Sequence, residues 1–518
     1  MDQSIPTFPE TFNIASYFLD ARLEEGRGAR IAVADDSGRY SYAQVHDMAG
    51  RIAGALWQAG VRPEDRCLLA LFDSVEFVAA FFGVLKAGGV VTMVNPELPA
   101  ADYEHYLRYT RCRALLVDAM LLERIAHLLP GCDCLRIVMV VGGLPPPGLG
   151  VPAMSWQEAL GCAPRPTYPT SRDDPAVWLF TSGSTGRPKA AVHLHHDFAY
   201  NNEGYARQVL GIREDDVTLG VPKLFFGYAT GINLLFPLAA GATAALYRDR
   251  ATPERLLQLI RQHRATILSC VPTMMNKLLQ HAPEADLRPL RLCTSAGEAL
   301  PEELYRRWMA AYGVEVLDGI GSAEMFHIYI SNRPGQVRPG SLGRLVPGYT
   351  ARIVRPDGSE AGPGEMGTLH VCGDSAALCY WQDHERSKQV LRGDWVVSSD
   401  LFHRDEEGFF YYDGRADDLL KVGGIFVSPL EVEGVLLRHP AVLEAAVVGE
   451  ENEAGLVRPL AWVVLRPGYT GDDELARALI EHVRAHLAHY KAPGRIQFVE
   501  ALPRSDRGKV LRRVLQGG

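Results

Sequence analysis

The segment of the chain that most clearly suggests a binding or catalytic site is Leu179-Phe180-Thr181-Ser182-Gly183-Ser184-Thr185-Gly186-Arg187-Pro188-Lys189. An apolar stretch at residues 176–180 precedes its polar part and predicts a strand. Glycines allow a tight turn with bare N–H groups, hydroxyls add donors and Lys189 adds positive charge, which together suit a polyphosphate. The Walker A spacing is absent, because Arg187 and Pro188 separate Gly186 from Lys189, so a P-loop kinase or ATPase is disfavoured. The alternative is a plain surface loop, although such loops seldom carry Pro-Lys directly after an apolar strand.

Further segments that could take part in binding or catalysis follow along the chain. One comes directly after a strand predicted at residues 291–294, at the carboxyl end where open α/β sheets place their ligands. Taken singly, each segment could be a turn, a surface carboxylate or a solvated basic tail. The segments are Ser295-Ala296-Gly297-Glu298, Asp318-Gly319-Ile320-Gly321-Ser322-Ala323-Glu324, Ser398-Ser399-Asp400, Tyr412-Asp413-Gly414-Arg415-Ala416-Asp417-Asp418, Lys421-Val422-Gly423-Gly424 and Arg504-Ser505-Asp506-Arg507-Gly508-Lys509-Val510-Leu511-Arg512.

Together these segments resemble the motifs of the adenylate-forming superfamily, which includes acyl- and aryl-CoA synthetases, luciferases and the adenylation domains of peptide synthetases. They occur in the family's order, and the resemblance spans almost the whole chain. It implies that the chain binds ATP. The implied nucleotide-binding residues are Thr181, Ser182, Gly183, Ser184, Thr185, Gly186, Lys189, Ser295, Gly297, Glu298, Asp318, Gly319 and Ser322.

The resemblance also implies a metal site at Glu324, whose carboxylate would bind the Mg²⁺ that bridges the ATP phosphates. A single glutamate is enough, because Mg²⁺ accepts carboxylate oxygen and keeps several waters. Ala323 departs from the family pattern, in which a threonine usually contacts phosphate, and Ser322 could partly substitute for it. Asp400 would accept both ribose hydroxyls, and Arg415 would add a ribose or phosphate contact.

The last part of the chain is implied to move and to carry a catalytic lysine. Asp417 matches the family's hinge position, and Gly423 and Gly424 would let the pantetheine arm of CoA pass close to the backbone. Lys509 matches the lysine that contacts the substrate carboxylate and the α-phosphate, where charge builds up as the carboxylate attacks phosphorus. Lys509 and Glu324 are therefore the catalytic candidates.

The acid to be activated is indicated by residues 223–231, which line the acyl pocket in relatives. Aromatic side chains separated by small residues suit a flat, compact, apolar body, although Phe225 could equally be a core residue. No aspartate is present there to hold an α-ammonium group, and bulky aromatics would block a fatty-acyl tunnel. The segment most resembles benzoate-CoA ligases and their 2-aminobenzoate relatives, and Lys223 is left open between substrate, phosphate and solvent. The substrate-binding candidates are Phe225, Phe226, Tyr228, Gly231, Ala296, Gly321 and His327.

Composition excludes several other classes of protein. The net charge of −9 and the lack of a basic run argue against a nucleic-acid partner. The apolar stretches are too short to span a bilayer, no signal peptide is recognisable, and nine scattered cysteines indicate reduced thiols in a cytoplasmic enzyme. The histidines at 193, 195 and 196 are not interpreted as a metal site, because nearby carboxylates are few and Mg²⁺ does not favour imidazole. His193 is expected to pack near the nucleotide.

The fold class predicted from strand and helix alternation is α/β. We expect a large N-terminal domain over residues 1–416, with two doubly wound α/β subdomains and a small β-rich one that begins near residue 340. A mobile α+β domain is expected over residues 417–518. The predicted function is ATP- and Mg²⁺-dependent activation of a small aryl carboxylic acid followed by transfer to CoA, by a monomer or homodimer. Two alternatives are loading of the aryl adenylate onto a carrier protein and, because of Ala323, a catalytically silent nucleotide-binding regulator.

The role of Lys509 can be tested by separating the two half-reactions. Lys509→Ala should abolish adenylate formation, because the charge that develops on the α-phosphate loses its counter-ion. Formation of thioester from a supplied aryl adenylate should persist. Equal loss of both steps, measured by pyrophosphate exchange and by thioester yield, would contradict the role.

Overall fold

Among the residues that the structure describes, two large β-sheets of nine and eight strands form the framework of the protein. The computed structural model describes residues 4–182, 188–415, 419–422, 425–451, 457–504 and 510–516. In chain order the strands are β1 (Ile31–Asp35), β2 (Gly38–Ser41), β3 (Arg66–Ala70), β4 (Val90–Met93), β5 (Ala114–Asp118), β6 (Ile137–Val141), β7 (Ala153–Ser155), β8 (Pro175–Ser182), β9 (Pro188–Leu194), β10 (Val217–Gly220), β11 (Thr243–Ala245), β12 (Ile267–Cys270), β13 (Leu292–Ser295), β14 (Val316–Gly321), β15 (Ile328–Ser331), β16 (Arg344–Leu345), β17 (Thr350–Val354), β18 (Gly367–Cys372), β19 (Cys379–Tyr380), β20 (Leu391–Arg392), β21 (Trp395–Arg404), β22 (Phe410–Arg415), β23 (Leu420–Val422), β24 (Ile425–Val427), β25 (Val442–Glu451), β26 (Val457–Leu465) and β27 (Arg495–Phe498).

Helices cover these sheets. The α-helices are α1 (Ala21–Glu24), α2 (Tyr42–Gln58), α3 (Val75–Lys86), α4 (Ala100–Thr110), α5 (Ala119–Ile125), α6 (Trp156–Leu160), α7 (His195–Asn201), α8 (Gly227–Thr230), α9 (Phe236–Ala240), α10 (Pro253–His263), α11 (Pro272–His281), α12 (Glu302–Tyr312), α13 (His384–Val390), α14 (Pro429–Leu436), α15 (Asp473–His486) and α16 (Arg512–Gln516). π-Helical segments lie at Ser16–Asp20, Asn202–Leu210 and Gly231–Leu235, and 3₁₀ turns at Ala126–Gly131, Ala323–Met325 and His489–Lys491. No helix within the described ranges has the length and apolar character needed to cross a membrane.

The helix ends follow local chemistry. Ser41 and Gln44 form a reciprocal capping box that starts α2, and the Ser74 hydroxyl accepts a hydrogen bond from the Phe77 N–H at the start of α3. The two helices pack on each other, and their buried side chains share one hydrophobic cluster with strands of both large sheets. This shared core fixes the two sheets relative to each other.

Both large sheets are mainly parallel, with antiparallel strands at their edges. Sheet 1 has the order β19-β9-β8-β4-β3-β5-β6-β7, and β8 through β7 run parallel. Sheet 2 has the order β16-β15-β14-β13-β12-β10-β11-β1-β2, with β14 through β1 parallel. Parallel strands place their carboxyl ends at one edge, which is where the polar segments after β13 and β14 meet. The predicted α/β class is confirmed.

Some strands pair far from the segments that are next to them in the chain, which the apolar periodicity of the sequence did not indicate. The first two strands, β1 and β2, join sheet 2 beside β11 rather than the βαβ units that follow them. Similarly, the short β19 leaves the β-rich region and pairs with β9 in sheet 1. Sheet 1 therefore receives Tyr380 from a distant part of the chain.

The smaller sheets complete the fold. The β-rich region forms an antiparallel sheet of β17, β18, β21, β20 and β22. Towards the C-terminus, β25 pairs with β26 and β26 with β27, and α14, α15 and α16 pack on these strands. Residues 416–418 lie outside the described residues, so a domain boundary at Asp417 stays a prediction.

Replacing each of two helical glycines by alanine should change the stability of the protein in opposite directions. A Cβ at Gly54 in α2 would lie 2.0 Å from the Ala163 carbonyl oxygen, whereas a Cβ at Gly434 in α14 would meet no atom within 4 Å. Gly54→Ala should destabilise the protein by about 1–3 kcal/mol through overpacking. Gly434→Ala should stabilise its helix by about 0.5–1 kcal/mol, because glycine loses more backbone entropy than alanine. Thermal unfolding midpoints that move in the same direction for both variants would contradict this packing.

Candidate active site

The strand hairpin β8–β9 brackets the predicted phosphate loop. Its register places Thr181 opposite Lys189 and Ser182 opposite Pro188. Residues 183–187 lie outside the described residues, and with them the predicted ligands Gly183, Ser184, Thr185 and Gly186. The hairpin ends therefore bring Thr181 and Lys189 together at the mouth of that loop.

Lys189 and Glu324 both contact the side chain of Tyr380. The Lys189 Nζ is 4.0 Å from the centre of the Tyr380 ring, and the Tyr380 hydroxyl donates a hydrogen bond of 2.5 Å to Glu324 Oε1. Burial and the charge of Arg386 lower the pKa of the Lys189 amino group, whereas the Glu324 carboxylate acts in the opposite direction. Burial, with the Glu324 charge next, raises the pKa of Tyr380, so its hydroxyl stays a donor. A cation and a carboxylate thus lie beside the loop with a phenol between them.

The sequence did not single out Tyr380. It lies in the segment Cys379-Tyr380-Trp381, which has no hydroxyl–glycine pattern, and its partner Glu324 is 56 residues away. The pairing of β19 with β9 and the hydrogen bond from the Ala377 N–H to the Glu324 carbonyl bring the two segments together. No local signal could have identified this contact.

The carboxyl ends of β13 and β14 form the next part of the site. Ser295 pairs with Asp318 across the two parallel strands, and both side chains are buried, as is Ala296. Burial raises the pKa of Asp318 well above its usual range, which favours the neutral acid. A neutral Asp318 next to Ser295 gives this edge a polar but uncharged surface.

Glycine positions around this edge differ in their contacts. Gly297 has a φ of +86° and open space around it, whereas a Cβ at Gly319 would lie 2.7 Å from the Ile330 carbonyl oxygen on β15. Glu298 Oε2 accepts hydrogen bonds from the backbone N–H and the hydroxyl of Thr273, at the start of α11. Glu298 therefore caps a helix, and its predicted nucleotide contact stays a prediction.

Of the aromatic candidates, Tyr228 packs against His327, with ring centres 5.3 Å apart. The Tyr228 and Thr294 hydroxyls hydrogen-bond each other at 2.6 Å, and His327 Nε2 donates to the Tyr228 carbonyl at 2.9 Å. His327 is 2% exposed, and burial lowers its pKa to about 3, so the ring is neutral. A Cβ at Gly231 would lie 2.3 Å from His327 Cδ2, which explains a glycine there.

Two further aryl candidates, Phe225 and Phe226, pack on each other. Phe225 and Phe226 are half-buried with ring centres 4.5 Å apart. A Cβ at Gly321 would lie 2.4 Å from the His327 carbonyl oxygen, so the end of β14 also touches the histidine segment. Whether these residues contact an aryl acid stays a prediction.

The predicted ribose residues face each other across β21 and β22. Asp400 pairs with Arg415 in the register, and Arg415 Nε lies 3.8 Å from Asp400 Oδ1. Arg415 also lies 3.5 Å from the Ser399 hydroxyl and is exposed. The predicted Asp417, Gly423, Gly424 and Lys509 lie outside the described residues.

Two single residues have contacts that bear on the sequence analysis. Lys223, left open between substrate, phosphate and solvent, donates to the Tyr247 carbonyl at 2.6 Å and lies 3.5 Å from the Tyr247 ring centre. Beside the histidines, Asp197 contacts His193 at 2.7 Å and lies 3.3 Å from His196. His193 also reaches the carbonyl of Ala323, the residue before Glu324.

Comparison with known proteins decides the family. Residues 20–381 match the profile described as AMP-binding enzyme, and residues 431–509 match its C-terminal domain. The chain belongs to the AMP-binding enzyme family. The resemblance to adenylate-forming enzymes drawn from the motifs is thereby confirmed.

Individual members of the AMP-binding enzyme family are similar along their full length. A benzoate–CoA ligase from Thauera aromatica is 42% identical over 509 residues, covering 97% of this chain and 95% of the relative. A crystal structure of an anthranilate CoA ligase with anthranoyl-AMP superposes with a TM-score of 0.92 at 36% identity, covering 98% and 97% of the two chains. A benzoate CoA ligase structure from Burkholderia xenovorans LB400 gives a TM-score of 0.88 at 39% identity, covering 98% and 100%.

The protonation of His327 can be checked directly in this family member. Its ring should keep a single proton on Nε2 between about pH 5 and pH 8. His403 should behave oppositely, because Asp413, 2.9 Å away, raises its pKa in spite of burial. Since unfolded histidine binds a proton below about pH 6.5, His327 should contribute stability that is lost as the pH falls through that value. Histidine-selective ¹⁵N NMR would contradict this arrangement if the His327 ring became protonated at a higher pH than the His403 ring.

Proposed function

We propose that this protein is an AMP-forming aryl-CoA ligase. It would activate a small aromatic carboxylic acid of the benzoate or 2-aminobenzoate type with ATP and then transfer the aryl group to CoA. The observation that carries the proposal is the placement of Lys189 and Glu324 on either side of Tyr380, at the mouth of the 183–187 loop. The full-length similarity to benzoate– and anthranilate–CoA ligases supports the choice of acid.

Glu324 fits a magnesium site. Its carboxylate is half-buried at the end of β14, and hard oxygen from a carboxylate is the ligand that Mg²⁺ prefers. Tyr380 bonds to Oε1, which orients the group. Bound there, Mg²⁺ would neutralise charge on the ATP phosphates.

Different residues would hold different parts of the substrates in the first half-reaction, which forms the aryl adenylate. Lys189 and the N–H groups of the predicted loop would hold the β- and γ-phosphates, while Asp400 and Arg415 would hold the ribose. The substrate carboxylate attacks the α-phosphorus, a new C–O–P bond forms, and the bond to pyrophosphate breaks. Lys509 would stabilise the charge that develops on the α-phosphate.

The aryl ring would lie beside Tyr228 and His327, with Phe225 as a further candidate contact. Neutral His327 and the mutually bonded Tyr228 and Thr294 present no net charge, which suits an uncharged ring. Amino or hydroxyl substituents would find hydrogen-bonding groups in the same region.

The second half-reaction needs a different arrangement of the C-terminal part. Rotation about Asp417 would withdraw Lys509 and bring Gly423 and Gly424 to the pantetheine arm of CoA. The CoA thiol attacks the carbonyl carbon of the mixed anhydride, and AMP leaves. A cytoplasmic location and a monomeric or homodimeric state stay predictions.

The proposal is tested by product analysis. With ATP, Mg²⁺ and CoA, the protein should convert benzoate or 2-aminobenzoate into the aryl-CoA with one AMP per thioester, and hexanoate should be a much poorer substrate. Glu324→Gln keeps the shape but loses the charge, and should lower adenylation by at least about 100-fold because metal-assisted charge stabilisation is worth several kcal/mol. Aryl adenylate without thioester would instead indicate a carrier-protein loader. Formation of ADP, or no turnover of any acid, would contradict the proposal.

A further inference from the structure

A buried chain of hydrogen bonds ends on the turn that carries Glu324. His193, on β9, and Asp197, on α7, both have side chains that are 0% exposed. Asp197 Oδ2 lies 2.7 Å from His193 Nδ1, and His193 Nε2 lies 2.6 Å from the Ala323 carbonyl oxygen. The chain therefore connects sheet 1 and α7 to the residue that precedes the proposed metal ligand.

The contacts of His193 fix the orientation of its ring. A carbonyl oxygen can only accept, so His193 Nε2 donates to Ala323. On the other side of the ring, Nδ1 contacts Asp197 Oδ2. Asp197 Oδ2 also accepts the Leu194 N–H at 3.1 Å, which holds this carboxyl group in place.

The turn needs this external support. It is a single 3₁₀ turn over Ala323–Met325, and Phe326 directly after it has a φ of +65°, a conformation unfavourable for a residue with a side chain. The Glu324 carbonyl accepts from the Ala377 N–H at 2.8 Å, and the Met325 carbonyl accepts from the Ser375 hydroxyl at 3.0 Å. Among these three ties, the one from His193 comes from a fully buried side chain that is itself held by Asp197.

We propose that His193, oriented by Asp197, is a positioning residue that holds the Glu324 carboxylate in the place where the metal is bound. The proposal rests on the proposed function, since it assigns His193 to the metal-dependent half-reaction. It follows that losing His193 should weaken metal binding and adenylation while leaving transfer to CoA in place. A merely structural role would affect both half-reactions together.

The chain provides a matched control. His195 is two residues away and equally buried, but its Nδ1 accepts the Ile14 N–H at 3.2 Å and does not reach the Glu324 turn. His193→Leu and His195→Leu remove the same ring from the same segment, and leucine supplies no hydrogen-bond donor in its place. Differences between the two variants therefore report on the contact with Ala323 rather than on loss of a buried histidine.

Two readouts test the proposal on the full-length protein. The first is Mn²⁺ binding in the presence of a non-hydrolysable ATP analogue, followed by electron paramagnetic resonance. The second is the ratio of benzoate-dependent pyrophosphate exchange to thioester formation from supplied benzoyl-AMP. His193→Leu should lower both Mn²⁺ affinity and exchange by about 10–100-fold, the range for partners that orient a metal ligand. His195→Leu should leave the Mn²⁺ affinity and the ratio at their wild-type values.

Unchanged Mn²⁺ affinity in His193→Leu, or equal loss in the two histidine variants, would overturn the proposal. If His193→Leu does not fold, Asp197→Ala provides the same test, because it removes the carboxylate that orients the ring without supplying a new donor, and the expected pattern is the same. Failure of the proposed function would be recognised separately, since wild-type protein would then show no acid-dependent exchange while Mn²⁺ binding would still report on His193.

Discussion

Three consecutive backbone carbonyls, those of Ala323, Glu324 and Met325, each accept a hydrogen bond from outside their own turn. The turn joins β14 to β15 in sheet 2, but the donors belong to β9 of sheet 1 and to the segment that leads into β19 of the same sheet. The position of the Glu324 carboxylate is therefore set by where the two large sheets meet. This constraint determines whether Lys189, Tyr380 and Glu324 can face the same ligand.

The chemistry of the site follows from this junction. Sheet 1 supplies the phosphate hairpin and Tyr380, while sheet 2 supplies the carboxyl ends of β13 and β14 with Asp318 and Ser295. Neutral groups line the side assigned to the aryl ring, and charged groups flank Tyr380 on the side assigned to phosphate. Separation of this kind suits a reaction between a flat apolar acid and a polyphosphate. Ala323 retains its role in the turn because the contact is made by its carbonyl rather than by a side chain.

Local features of the fold could be predicted from the sequence. The helices α2 and α3 carry apolar periodicity and serine caps, which are local signals in the sequence. The apolar run that forms β3 continues past Ala70, where the strand ends. Strand pairing was not predictable, since β1 pairs in sheet 2 with β11, more than two hundred positions away. For the same reason the motifs indicated Lys189 and Glu324, but not Tyr380 or the tie from His193 to Ala323, which joins residues 130 positions apart.

The central claim is that the acid's own carboxylate attacks the α-phosphorus of ATP. Turnover of benzoate labelled with ¹⁸O in the carboxyl group measures this most directly, because the oxygen that bridges carbon and phosphorus leaves with the nucleotide. The account predicts one ¹⁸O atom in each AMP and one in each benzoyl-CoA. Label in inorganic phosphate or pyrophosphate, or AMP without label, would contradict it.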